Sequence, residues 1–325
     1  MTIRPIALTC GEPAGIGAEI AVKARAALGP DAPFFWIGDP AHLPRGTALR
    51  EIARAEDALS VPSGSLAVMP HPFPAPARPG QPAPANAAGV IAVIARAVAL
   101  TMAGEAGGIC TLPVRKKALM EGAGFAFPGH TEYLAHLAGV DRVVMMLACD
   151  GLRAVPATIH IALKDVAAAL TPDLLEDTIR ITAAGLARDF GIARPRLTVA
   201  GLNPHAGEGG AMGHEEITVI APVLARLRDE GFDLAGPLSA DTMFHPAARA
   251  RYDAAICMYH DQALIPVKTI DFAGGVNVTL GLPFVRTSPD HGTAFEIAGQ
   301  GIADPTSLIA ALKMARDMGS GRVAQ

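Results

Sequence analysis

Residues 3–28 read IRPIALTCGEPAGIGAEIAVKARAAL: a short apolar run, a glycine-rich turn, then residues with helical spacing. Ile3 to Thr9 has no polar alternation, which predicts a strand covered on both faces. The helical run to Leu28 carries the chain back across the sheet, as a parallel strand order requires. Gly11, Gly15 and Gly17 in the connection fit two readings equally, a tight βα turn or a loop that aims backbone N–H groups at an anion.

The same unit recurs outward from this stretch. Strands are predicted at Phe34–Gly38, Gly108–Leu112, Val143–Cys149, Val155–Ile159, Arg196–Leu202 and Ala254–Tyr259. Between them lie helical runs, including an Ala/Val/Ile-rich helix at 85–103 predicted to be buried on more than one face, and a helix opening at Thr171-Pro172. Residues 70–84 hold seven prolines in fifteen residues, so they form an extended connection. Strand–helix alternation predicts an α/β fold of two lobes with mainly parallel sheets, residues 1–127 plus 271–325 and residues 128–270. The closing helix, from Ser307 to Met318, is expected to pack on the first lobe.

The chain has 325 residues, 50% hydrophobic and 18% charged, with a formal net charge of -4. It can bury a large core, and its charge gives no case for nucleic acid or a membrane surface. Four cysteines lie far apart without a CxxC pair, so free thiols are expected. With no signal-like start and no uninterrupted apolar run of spanning length, a cytoplasmic protein is expected.

Polar chemistry concentrates from Cys257 to Glu296, CMYHDQALIPVKTIDFAGGVNVTLGLPFVRTSPDHGTAFE. His260 follows the apolar run AAICMY, as His160 follows VPATI and His205 follows RLTVAGLNP. Ligands bind at the carboxyl ends of parallel strands, so three imidazoles in that context could converge on a divalent metal such as zinc or cobalt. Each taken singly fits a solvated or hydrogen-bonded histidine as well. Lys268, Asn277 and Arg286 could cradle a phosphate, or pair with Asp271 and Asp290 at the surface. His130 and Thr131, at an expected helix start, could add donors. In the loop from Asp290 to Gly299 a carboxylate lies among small residues; it could meet a ribose diol, or the loop could be a capped turn.

Taken together, GEPAGIGAEI, GHTEYLA, GLNPHAGEGG, GPLSADTMF, MYHDQALIPVK and VNVTLGLPFVRTSPDHGTAFEIAG resemble the 4-hydroxythreonine-4-phosphate dehydrogenase family of vitamin B6 synthesis. The resemblance runs from Gly11 to Gly299. It implies two α/β/α lobes like those of isocitrate and isopropylmalate dehydrogenases, an active site in the interlobe cleft, and a homodimer with the site near the subunit interface. It further implies a divalent metal (zinc, magnesium or cobalt) on His160, His205 and His260, and substrate contacts at His130, Thr131, Lys268, Asn277 and Arg286. Asp241 and Asp261 are expected to orient a ligand or carry a proton. His291, Gly292, Thr293 and Glu296 resemble the adenosine loop of isopropylmalate dehydrogenases. Glu296 stands there in place of the usual Asp, and NAD is expected over NADP.

The implied reaction is oxidation of the secondary alcohol of 4-phosphooxy-L-threonine, then loss of CO2 to give 3-amino-2-oxopropyl phosphate. Dehydrogenation of 4-phospho-D-threonate or 4-phospho-D-erythronate is the alternative on the same scaffold. Phosphate acyl transfer, which needs neither metal nor NAD, and non-catalytic phosphate binding are remoter alternatives.

Overall fold

In the computed structural model, which describes residues 4–323, backbone contacts divide the chain into two units. Residues 1–143 and 282–325 form the first, and residues 144–281 the second. The first unit opens with β1 (Ile6–Thr9), α1 (Gly17–Leu28), β2 (Phe34–Gly38), β3 (Leu49–Glu51) and β4 (Leu66–Pro70). It continues through α2 (Ala87–Met102), β5 (Gly108–Thr111), α3 (Lys116–Ala123) and α4 (His130–Ala138). The second unit holds β6 (Val144–Cys149), β7 (Leu152–Pro156), α5 (Val166–Ala169), α6 (Pro172–Phe190), β8 (Arg196–Ala200) and α7 (Ala221–Asp229). It closes with β9 (Asp233–Leu238), α8 (Pro246–Arg249), β10 (Ala254–Cys257), α9 (His260–Ile270) and β11 (Val276–Leu280). The chain then supplies β12 (Arg286–Pro289) and α10 (Thr306–Val323) to the first unit.

The first unit has strand order β3-β4-β2-β1-β5-β12 with every pair parallel. β1 and β2 are buried along their whole length, as apolar runs without alternation require. Ile3, read as part of the first strand, lies outside the described residues. The sequence reading missed β3, β4 and β12. The expectation for α2 fails in one respect. It buries one face (Val90, Val93, Ile94, Ala97, Val98) and exposes Ala88, Ala92 and Ala99, so small residues rather than a second core cover the other. Residues 84–102 are the helix among the described residues long and apolar enough to cross a membrane by length and composition, but this core-facing stripe packs on β1 and β5.

In the second unit the order is β11-β6-β7-β10-β8-β9. β7, β10, β8 and β9 run parallel, whereas β6 pairs antiparallel with both β7 and β11. The antiparallel pair follows from the Asp150-Gly151 turn, in which Gly151 takes φ 80° and reverses the chain in two residues. β7 consequently begins at Leu152, ahead of the strand expected at Val155–Ile159. Pro266 lies inside α9, where it removes a helical N–H. Burial of Ala263, Leu264 and Val267 against β6, β7 and β10 overrides it. Each fully buried aliphatic side chain of that size is worth about 1.5–3 kcal/mol, on the scale of the proline penalty.

The division falls later in the chain than the 127/128 and 270/271 boundaries expected from sequence. Tyr133 of α4 packs edge-on to Phe125, with ring centroids 5.3 Å apart, which ties that helix to the first unit. β11 is held in the second unit by its ladder to β6. α10 packs on β12, β5 and α1, as expected of the closing helix.

Candidate functional site

The three strand-end histidines follow β7, β8 and β10, three neighbouring parallel strands with β10 in the middle. His160 and His260 stand with ring centroids 5.6 Å apart, on the wall of a pocket of about 270 Å³ that Thr158, Ile161, Leu163 and Tyr259 also line. His260 opens α9, and its Nδ1 lies 2.7 Å from Asp261 Oδ1. A neutral imidazole that donates through Nδ1 keeps the Nε2 lone pair for a ligand.

The backbone under the other two histidines is strained. His160 takes φ 50° and His205 φ 52°, the left-handed region that disfavours any side chain with a Cβ. His205 belongs to a turn in which residues 205–209 all have positive φ. Gly207 and Gly209 suit that turn, but His205, Ala206 and Glu208 cost about 1–3 kcal/mol each. Such strain persists only where surrounding bonds over-determine it. Here Asn203 N donates to Glu216 Oε1 at 2.7 Å and Asn203 Nδ2 to Glu216 Oε2 at 3.0 Å.

Imidazoles on adjacent strand ends are the donors that a zinc-like ion takes, and the His260–Asp261 contact fixes a suitable tautomer. In chemistry and placement, these residues fit a divalent metal. Among the described residues, however, no three His, Cys, Asp or Glu side chains are drawn together closely enough to ligate an ion as they stand. His160 and His205 are exposed. Asp241, the other expected proton carrier, is exposed in a turn and accepts a hydrogen bond from Ser239 Oγ.

Substrate-binding candidates fall in both units. In the first, Arg286 begins β12 and is buried, 4% exposed, with Nε and Nη2 donating to Thr111 Oγ1 at 3.2 and 2.8 Å. Burial pushes its guanidinium down to about 10, yet it stays charged at neutral pH. His130 opens α4, and its Nε2 is sealed from solvent with no hydrogen-bond partner among the described residues. Burial first, and the Arg286 charge second, push His130 down to about 3, so it is neutral. Thr131 follows in the same first turn. A buried cation, a neutral imidazole and a helix N-terminus together favour an anion. In the second unit Lys268 sits in the last turn of α9, its Nζ 5.2 Å from the Phe272 ring centre. Asn277 lies on β11, its Oδ1 buried without a partner among the described residues.

The loop after β12 does not cap a long helix. Ala294 takes φ 46°, a single turn follows at 295–297, and α10 starts only at Thr306. Ile16 N donates to Thr293 O at 3.1 Å, and a Cβ on Gly15 would come within 2.8 Å of the same carbonyl. The first glycine-rich turn therefore packs on this loop, and the N–H groups of Glu12, Ala14, Gly15 and Ile16 go to protein acceptors. His291 Nδ1 lies 2.9 Å from Gly292 O, and Glu296 is exposed. Beside the two segments a pocket of about 630 Å³ is lined by Pro13, Gly15, His42, Pro79, Gly299 and Gly301, among others.

Sequence reasoning missed Thr111, Gln262 and Glu216. Only Glu216 carried a signal, a carboxylate at a helix start immediately followed by apolar residues.

Comparisons with known proteins agree on one family. The family described as pyridoxal phosphate biosynthetic protein PdxA matches residues 31–315. A 4-hydroxythreonine-4-phosphate dehydrogenase of Paracoccus denitrificans (strain Pd 1222) is 67% identical over 98% of this chain and 99% of its own. Another of that name, from Roseobacter denitrificans (strain ATCC 33942 / OCh 114), is 61% identical over 98% of each chain. The crystal structure of 4-hydroxythreonine-4-phosphate dehydrogenase from Klebsiella pneumoniae superposes with a TM-score of 0.90 at 39% identity, covering 97% of this chain and 99% of that one.

Proposed function

Because the chain belongs to the PdxA family of pyridoxal phosphate biosynthesis, we propose that it is a dehydrogenase of 4-phosphooxy-L-threonine, oxidising the C3 alcohol to a ketone with NAD⁺. The observation that carries the chemistry is the placement of His160, His205 and His260 after three neighbouring parallel strands. These three would hold a divalent metal: zinc, magnesium or cobalt. When bound, the metal would lower the pKa of the substrate hydroxyl and steady its charge, and NAD⁺ would take up the hydride.

The chain's own residues do the rest. Arg286, His130, Thr131, Lys268 and Asn277 are the candidates for recognising the phosphate and polar groups of the substrate. Asp261 holds the His260 tautomer at a contact of 2.7 Å, and Asp241 is a candidate proton carrier. The loop of His291, Gly292, Thr293 and Glu296 receives the nucleotide, a reading supported by the pocket beside it. The ketone sits β to the carboxylate, so CO2 loss can follow with uptake of a proton at C2, giving 3-amino-2-oxopropyl phosphate. A homodimer is supported by the exposed apolar side chains of Phe272 and Ile265. We place the enzyme in the cytoplasm, where its free cysteines stay reduced.

Metal analysis of the purified protein before and after His205→Ala, coupled to NADH formation, tests this reading. Loss of metal and of turnover together is the expected result, and unchanged metal content in the variant refutes the tri-histidine site. Rates with 4-phosphooxy-L-threonine, 4-phospho-D-threonate and 4-phospho-D-erythronate settle the substrate. A preference for either phosphorylated sugar acid overturns the B6 assignment.

A further inference from the structure

The three histidine-bearing turns are laced by side chains that bear no metal-ligating role themselves. Thr158 Oγ1, after β7, donates to Met258 O at 2.7 Å, after β10. Met258 N donates to Gln262 Oε1 at 2.7 Å, and Gln262 Nε2 donates to Gly201 O at 2.9 Å, just past β8. One primary amide thus joins the turn before His260 to the strand end before His205. The lacing continues at Gly201, where an added Cβ would lie 3.0 Å from Glu216 Oε1. Glu216 is 3% exposed and accepts from Asn203 N and Nδ2, while Nδ2 also donates to Glu215 Oε2 at 2.6 Å. The left-handed turn closes on the same carboxylate: a Cβ on Gly207 would stand 2.6 Å from Glu216 Oε2.

We infer that Gln262 and Glu216 are positioning residues that set the spacing of the turns carrying His205 and His260. The inference rests on the metal reading above and concerns what holds its ligands. The orientation of the amide is essential, since Oε1 must face Met258 N while Nε2 faces Gly201 O. A carboxylate at 262 keeps the first bond and sets oxygen against oxygen at the second. A carboxylate is equally required at 216, because it accepts from two donors of Asn203 and an amide would present a donor to one of them. Supports of metal ligands at this remove typically alter affinity 10–100-fold.

Gln262→Glu and Glu216→Gln in the full-length, metal-stripped protein test this. Cobalt(II) is titrated calorimetrically, its visible absorption spectrum is recorded, and melting is measured without metal. The expected result is a 10-fold or greater loss of cobalt affinity with an altered spectrum, while metal-free melting moves little in at least one variant. If wild-type protein binds cobalt and both folded variants bind it equally with the same spectrum, the positioning role falls alone. If wild-type protein binds none, the metal reading falls and the positioning role with it. If both variants lose melting and affinity together, the lacing is structural only and the inference is overturned.

Discussion

In the second unit His160 and His205 stand exposed on left-handed backbone, whereas in the first unit Arg286 is buried with the sealed Nε2 of His130 nearby. Both arrangements keep basic side chains available to a ligand. In the histidine turns the penalty lies in the dihedrals; around His205, Asn203 donates to Glu216 and Gln262 Nε2 donates to Gly201 O. Around Arg286 the backbone is an ordinary strand and the penalty lies in desolvation, which the Thr111 hydroxyl offsets only in part. Strained turns need bonds to hold them; a buried cation needs an anion. The first arrangement suits an ion whose ligands must be aimed, and the second suits a phosphate whose charge must be matched.

This contrast can be broken from either side. The largest effect is expected at Arg286. Arg286→Met should lower kcat/KM by about 10²–10³-fold, roughly 3–4 kcal/mol, by the usual loss for a buried charge-assisted contact. A variant that keeps wild-type kcat/KM would remove Arg286 from the anion site.

His130 gives the next effect, through pH. Its folded-state value is depressed to about 3 against an unfolded value near 6.5, so the unfolded chain binds the proton first. Stability from this group is complete above about 6.5 and is lost as pH falls toward 3. Melting temperature should therefore fall more steeply below about pH 6.5 in the wild type than in His130→Gln. Equal slopes would mean that the imidazole is not held neutral by burial.

On the histidine side, Gly207→Ala combines φ 77° with a Cβ 2.6 Å from Glu216 Oε2. Denaturant unfolding should show a loss of about 1–3 kcal/mol. The smallest effect should have the opposite sign. His205→Gly relieves a left-handed φ of 52° and should stabilise the metal-free protein by up to about 1 kcal/mol while lowering metal content. A destabilised His205→Gly protein would show that the turn is not strained at that residue.

Much of the site was legible because its signals are local. An apolar run followed by a histidine marks a strand end, and β7, β8 and β10 do precede His160, His205 and His260. The helix start at His130 was legible from Pro128-Gly129 and the apolar spacing after it. Other parts were hidden because the local code points elsewhere. Pro266 inside α9 is a local helix breaker, and short runs such as Leu49–Glu51 are too brief to announce a strand. Arg286 fitted a phosphate cradle or a surface ion pair equally by sequence, and the packing of β12 beside β5 buries it.

The sequence by itself determined the α/β class and the candidate donors, because apolar periodicity and residue chemistry are properties of short segments. Tertiary structure alone decided that β7, β10 and β8 are neighbours, that Thr293 O receives a bond from the first glycine-rich turn, and that Gln262 joins two strand ends. The bond from Gln262 to Gly201 spans 61 positions, and that between Thr158 and Met258 spans 100. Contacts at such separation form only when burial of the whole sheet repays the entropy of closing the chain between them.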